Sequence, residues 1–337
     1  MDGDCAQGQQ IALAWYSFAG RSYRKDGAPR DGAGNIDASL ARGEFQSEAL
    51  AWSLGFGPQE AFSVGFQGRF RASPSASGAL DISDIVPGRN SASLTVYDDR
   101  LLASLRCDGV DIAINANKQS VGKMSVISDS PETKVVPGLS AFRLRLLDFE
   151  GRLQIDGRTQ VISGVAYFQQ VRAHIPLLPW DWCYCIFPDG SLAGISTLRI
   201  GRDLFASDKN IKSDSISTFD MPIFSRGFFL DGKNGKLFRM ARSKVVSSIS
   251  IEGRGRVKRI VASDDSGSHM QFDVVVLDSH SLEFSRDQWP FSNPAFYYRS
   301  SVGAVEKFSF KRRGSEIDNR SFETGFCNLE RTYGLML

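Results

Sequence analysis

Leu153-Gln154-Ile155-Asp156-Gly157-Arg158 runs into Val161-Ile162-Ser163-Gly164-Val165-Ala166-Tyr167-Phe168, and the two apolar runs read as strands joined by a tight turn. Asp-Gly between such runs is the strongest short hairpin signal, because both residues accept the positive φ of a type I′ turn. The same dipeptide recurs at Asp2-Gly3, Asp26-Gly27, Asp31-Gly32, Asp108-Gly109, Asp189-Gly190 and Asp231-Gly232. Just upstream, Phe142-Arg143-Leu144-Arg145-Leu146 alternates apolar and charged residues, the period-two signature of a half-buried strand.

Working outward, Leu94 to Val96, Leu101 to Leu105 and Val110 to Ile114 are separated by short turns and read as an antiparallel meander. In the last third Leu237 to Met240, Val245 to Ile251, Val257 to Val261, Phe272 to Leu277, Leu282 to Phe284 and Val305 to Phe310 continue the pattern. Glu44 to Leu54 is compatible with helix or strand and is assigned as strand because Gly55 and Gly57 follow. Strands at this spacing predict an all-β protein of antiparallel barrels or sandwiches. A chain of 337 residues predicts about two domains. Ser, Asp and Lys crowd between Asp203 and Asp220, which places the expected units at residues 1–204 and 205–337.

Composition narrows the function classes. Forty Lys and Arg against 38 Asp and Glu give a net charge of +2, which argues against a nucleic-acid or anionic-membrane partner. The basic runs Gly253 to Arg259 and Lys311 to Arg313 then read as solvated faces and turns. No run approaches the roughly 20 apolar residues of a membrane-spanning helix, and the acidic start argues against a signal peptide, so a cytoplasmic monomer is expected. The five cysteines, Cys5, Cys107, Cys183, Cys185 and Cys327, include no CxxC pair and read as reduced buried thiols. Phosphate-loop, dinucleotide, zinc-helix and nucleophile-elbow motifs are absent, so no cofactor or metal is expected.

The chemically richest stretch is Ala166 to Ser191, which holds two of the five tryptophans and one of the three histidines. As a strand, Trp180 to Phe187 places Trp180, Trp182, Tyr184 and Ile186 on one face and Asp181, Cys183, Cys185 and Phe187 on the other. The aromatic face is either ordinary core or the wall of an apolar pocket, where rings can stabilise a developing cation. Asp181 is either solvated or a buried acid, and His174 either a surface residue or a proton shuttle beside it. His269 and His280 are too isolated to form a metal pair, and Asp189 reads as a turn residue.

Ile162 to Gln170, Pro179-Trp180-Asp181-Trp182, Pro188-Asp189-Gly190-Ser191, Glu323-Thr324-Gly325 and Glu330-Arg331-Thr332-Tyr333-Gly334 together resemble the carotenoid 1,2-hydratase (hydroxyneurosporene synthase)-like, AttH-like family. The resemblance covers about half the chain and extends to tocopherol cyclase-like and Diels–Alderase-like proteins. It implies two tandem lipocalin-like (calycin) β-barrels and cofactor-independent acid catalysis on a hydrophobic isoprenoid or polyketide-like substrate. A protein acid would protonate an alkene, aromatics would stabilise the carbocation, and water would add. The family's His–Trp pair belongs near the Tyr167–Gln170 strand, where this chain offers Tyr167, Gln169 and Gln170 and no histidine. The expected site is therefore Asp181 and His174 as acids, with Tyr167, Gln169, Trp180, Trp182 and Tyr184 against the ligand. A hydratase, cyclase or isomerase is one reading. A non-catalytic lipocalin-like carrier of a hydrophobic small molecule is the other.

Overall fold

The computed structural model describes residues 9–17, 44–55, 62–74, 80–84, 88–97, 99–118, 133–136, 139–173, 178–201, 221–251, 255–284, 296–313 and 315–334. All the regular structure in them is antiparallel β. The first ten strands are β1 (Gln9–Ser17), β2 (Glu44–Gly55), β3 (Ser63–Pro74), β4 (Leu80–Asp84), β5 (Ser91–Val96), β6 (Arg100–Cys107), β7 (Val110–Lys118), β8 (Thr133–Val136), β9 (Leu139–Ile155) and β10 (Arg158–Ala173). They form one sheet in the order β1-β2-β3-β4-β5-β6-β7-β9-β10, with β8 pairing β9. The other nine are β11 (Trp180–Ile186), β12 (Leu192–Ile200), β13 (Met221–Asp231), β14 (Lys236–Met240), β15 (Arg242–Ile251), β16 (Gly255–Ser263), β17 (Ser268–Phe284), β18 (Phe296–Arg312) and β19 (Ser315–Gly334). Their sheet runs β14-β13-β12-β11-β19-β18-β17-β16-β15. No helix among the described residues is long and apolar enough to cross a membrane.

The turn chemistry is what the dipeptides specify. Asp108 and Gly109 take φ of 46° and 82°, and Asp156 and Gly157 take 47° and 83°, so both β6–β7 and β9–β10 close on two consecutive positive-φ residues. Asp231-Gly232 opens a longer turn, in which the Asp231 carboxylate accepts from the Lys233 backbone N–H (3.1 Å), Asn234 (2.9 Å) and Arg320 (2.6 Å). Asp2-Gly3, Asp26-Gly27 and Asp31-Gly32 lie outside the described residues. Glu44–Gly55 is a strand, as read, whereas Phe272 to Leu277 and Leu282 to Phe284 are parts of one long strand, β17, which absorbs a register shift at Val276/Asp278.

The chain divides into two compact units, one built from residues up to Val171 and the other from Arg172 to Leu337, with Lys134–Ser140 grouped with the second. The stretch Asp203–Asp220, which the sequence marks as a seam, lies outside the described residues; the strands before and after it, β12 and β13, pair directly with each other. In the first unit alternation buries Ala92, Leu94 and Val96 of β5 against Leu101, Ala103, Leu105 and Cys107 of β6. The second unit curls almost into a barrel: β15 returns onto β12 and β13, where Ser243 meets Ser225 (Oγ–Oγ 3.1 Å) and Thr197 (3.2 Å). A Cβ on Gly227 of β13 would stand 2.5 Å from that of Ala262 on β16, so this close approach needs glycine.

Phenylalanine fills one end of the barrel. Phe229 lies 4.7 Å from Phe310 and 5.2 Å from Phe308, and Phe187 stacks on Phe322 at 4.4 Å. Lys307, at φ 53°, lets Val305 and Phe308 both face the core of the same strand. Phe229 is fully buried at the centre of this knot. Phe229→Ala should therefore lower the unfolding free energy by about 3–5 kcal/mol, read from denaturant midpoints with an unchanged slope.

Candidate active site

The site is built by the pairing of β11 with β12 on one side and β19 on the other. Trp182 faces Ser196 and Glu330 across the two ladders, Tyr184 faces Gly194 and Asn328, and Asp181 faces Thr197 and Arg331. Cys183, Cys185 and Phe187 belong to the barrel core, so Trp180, Trp182 and Tyr184 stand on the opposite, outward face.

On that outward face β19 adds Asn328, Glu330 and Thr332, and β18 adds Tyr298 and Ser300, which pair with Thr332 and Glu330. The Trp180 and Tyr298 rings lie 6.5 Å apart at 56°. Trp180 is fixed at its backbone, where its N–H donates to Thr332 Oγ1 at 2.7 Å. Glu330 sits among these rings. Its carboxylate accepts from Asn328 Nδ2 at 3.3 Å and from the side chains of Tyr298 and Trp180, while Ser300 Oγ donates to Asn328 Oδ1 at 3.1 Å. Desolvation is the largest influence on this carboxyl and outweighs the three donors, so its pKa is raised above the ordinary glutamate value. The residue as a whole is half-buried; it is the carboxyl end that loses water.

The rest of the wall is apolar with scattered polar atoms. Gly194 has room only for hydrogen, since a Cβ would meet the Phe228 ring at 2.5 Å, and this lets Phe228 lie 6.2 Å from the Tyr184 ring. Burial pushes the Tyr184 phenol far above its usual range. Trp182 Nε1 is buried and has no acceptor among the described residues.

The inward face behaves differently. Asp181 is 5% exposed and sits between Arg199 (Nε–Oδ2 3.1 Å) and Arg331 (Nε–Oδ1 3.8 Å), both buried as well. Arg199 also donates to the Thr332 carbonyl at 3.3 Å, and the Arg331 guanidinium lies over the Tyr333 ring at 5.2 Å. Both of its oxygens face guanidinium groups, and its side chain points away from the tryptophans. Asp181 is thus buried, but as an electrostatic clasp joining β11, β12 and β19.

Of the residues singled out by sequence, Trp180, Trp182 and Tyr184 share one surface. Tyr167 and Gln169 lie on β10 of the first sheet, and their side chains, like the whole of His174, fall outside the described residues. No local pattern in the sequence points to Glu330, Tyr298, Arg199 or Arg331. Glu330 and Arg331 are neighbours in Glu330-Arg331-Thr332-Tyr333-Gly334, and only the register tells which of them shares the tryptophan face.

Fold and site together define an all-antiparallel, two-sheet protein with a desolvated carboxyl set in an aromatic wall. No family model matches the chain. No curated protein matches it. Two solved structures are similar to it. One, a protein provisionally assigned as AttH from Nitrosomonas europaea, is 13% identical with a TM-score of 0.43, the match covering 86% of this chain and 87% of that one. The other, kievitone hydratase from Nectria haematococca, is 13% identical with a TM-score of 0.44, covering 86% and 84%.

Two outcomes follow for stability. Asp181→Ala leaves two buried guanidinium groups facing an apolar residue and should cost about 3–5 kcal/mol in chemical denaturation, much of it recovered when Arg199 and Arg331 are also replaced by Met. Because the folded pKa of Glu330 is raised above its unfolded value, the folded state holds that proton more tightly, and the associated stability is lost as pH rises through the folded pKa. Glu330→Gln should then gain stability relative to the parent as pH increases from 4 to 8, the two melting curves converging at the acidic end.

Proposed function

We propose that this protein is a cofactor-independent hydratase, or a related isomerase or cyclase, that protonates an alkene of a hydrophobic isoprenoid or polyketide-like substrate. The observation that carries the reading is the desolvated Glu330 carboxyl held against Trp180 and Tyr298, on the face shared with Trp182. A carboxyl whose protonated form is favoured by burial can deliver a proton near neutral pH. The neighbouring ring faces can stabilise the resulting carbocation by about 0.5–2 kcal/mol each.

In this scheme the Glu330 proton goes to one alkene carbon and the carboxylate remains. Water bonds to the cationic carbon and returns a proton to Glu330, so the acid is regenerated. Trp180, Trp182 and Tyr184 line the substrate, and Trp182 Nε1 is a donor for a substrate oxygen. Asp181, one of the two acids expected from the sequence, takes a positioning role: its ion pairs hold β11 against β19. His174, Tyr167 and Gln169 enter as further candidates from the family resemblance. The substrate is a small molecule, and the working unit a cytoplasmic monomer.

The competing reading is a carrier for the same class of molecule. It is favoured by the three donors that already engage Glu330, an arrangement that also suits a purely structural carboxyl.

Incubating the full chain with isoprenoid and polyketide-derived alkenes in ¹⁸O-labelled water tests the two together. Incorporation of one labelled oxygen, slowed at least about 100-fold by Glu330→Gln while the fold persists, is the expected result. Full-rate turnover by that variant removes Glu330 from the mechanism. Quenching of tryptophan fluorescence by an alkene that is never converted identifies a carrier.

A further inference from the structure

The barrel interior next to the Asp181 clasp contains three thiols from two strands. Cys185 lies directly across from Cys327 in the β11–β19 ladder, and Cys183 is the diagonal neighbour on the same face. Their Sγ atoms lie within 4.8 Å of one another, with Cys183 to Cys327 at 3.1 Å and Cys183 to Cys185 at 3.7 Å. All three are reduced and fully buried. Neither proposed reading of the aromatic wall uses them, since they point the other way.

We propose that Cys183, Cys185 and Cys327 form a trithiolate site for one soft, thiophilic metal ion, with monovalent copper the chemistry that fits best. Three sulfur atoms around an ion at the usual metal–sulfur distance of about 2.3 Å stand about 3.8–4.0 Å apart, so the Cys183–Cys185 pair at 3.7 Å is already close to that spacing and the Cys183–Cys327 pair at 3.1 Å opens slightly to admit the ion. Thiolate-only donors favour Cu(I) over harder divalent ions, and three donors without a fourth suit an ion content with low coordination. Ala193 and Ile195, cross-strand partners of Cys185 and Cys183, and Leu329 surround the sulfurs with apolar surface, which keeps water and oxygen ligands from competing.

Metal uptake releases the thiol protons to solvent, so binding weakens as pH falls.

The test is anaerobic titration of the reduced full-length chain with Cu(I) against a chromophoric Cu(I) chelator. One equivalent should be withdrawn by the parent and equally by the Cys5→Ser/Cys107→Ala double variant, which keeps all three thiols. Cys327→Ser and Cys183→Ser should each bind at least 100-fold more weakly. If either fails to fold, Cys185→Ala supplies the same comparison, and X-ray absorption of the copper-loaded parent should show three sulfur neighbours. Uptake unchanged by loss of Cys327, fewer than three sulfurs around copper, or no uptake while the thiols are reduced overturns the proposal. Loss of alkene turnover by Glu330→Gln without any change in copper binding would confirm that the two sites are separate.

Discussion

The register between β11 and β19 is the constraint on which everything else in the second unit rests. In a strand the side chains alternate strictly, so one alignment decides which residues enter the barrel and which line its outside. With Asp181 opposite Arg331 and Trp182 opposite Glu330, the charges that need each other meet in the interior while Glu330 joins the tryptophans. A slip of one residue would carry Arg331 to the aromatic face, bring Glu330 inward and part Cys185 from Cys327. The clasp of Asp181 with Arg199 and Arg331 penalises such a slip far more than apolar packing could, because it would strand buried ions without their counter-charge.

Two carboxyl groups one residue apart in the ladder thus acquire opposite characters from their surroundings. Asp181 is surrounded by guanidinium groups and serves to hold strands in place. Glu330 is surrounded by neutral donors and aromatic rings, and desolvation dominates it. Neither difference resides in the side chains themselves; it comes from what the neighbouring strands place within reach.

Much of the architecture was legible in the sequence because the signals are local. Asp108-Gly109 and Asp156-Gly157 encode their turns through φ, and the period-two pattern of Trp180 to Phe187 correctly separated aromatic from inward residues. What could not be read were the long-range pairings. Cys183 and Cys327 are 144 residues apart, so their thiols look scattered until β19 is laid beside β11. Glu330 and Arg331 are adjacent in sequence and indistinguishable in type from many charged pairs. Their separate fates depend on a register that no local pattern encodes. A lapse in apolar periodicity such as Asp203–Asp220 marks a connection, and the same signal serves between domains and between neighbouring strands of one sheet.

The placement of β19 between β11 and β18 also has a bearing on biogenesis. Until residues 315–334 leave the ribosome, β11 lacks one of its two ladder partners, and the Asp181 carboxylate lacks Arg331. At ordinary elongation rates of about 5–20 residues per second, that interval lasts many seconds. During synthesis the tryptophan-rich segment therefore waits as an unfinished edge, and chaperone capture of the nascent chain is the natural guard against its sticking to another.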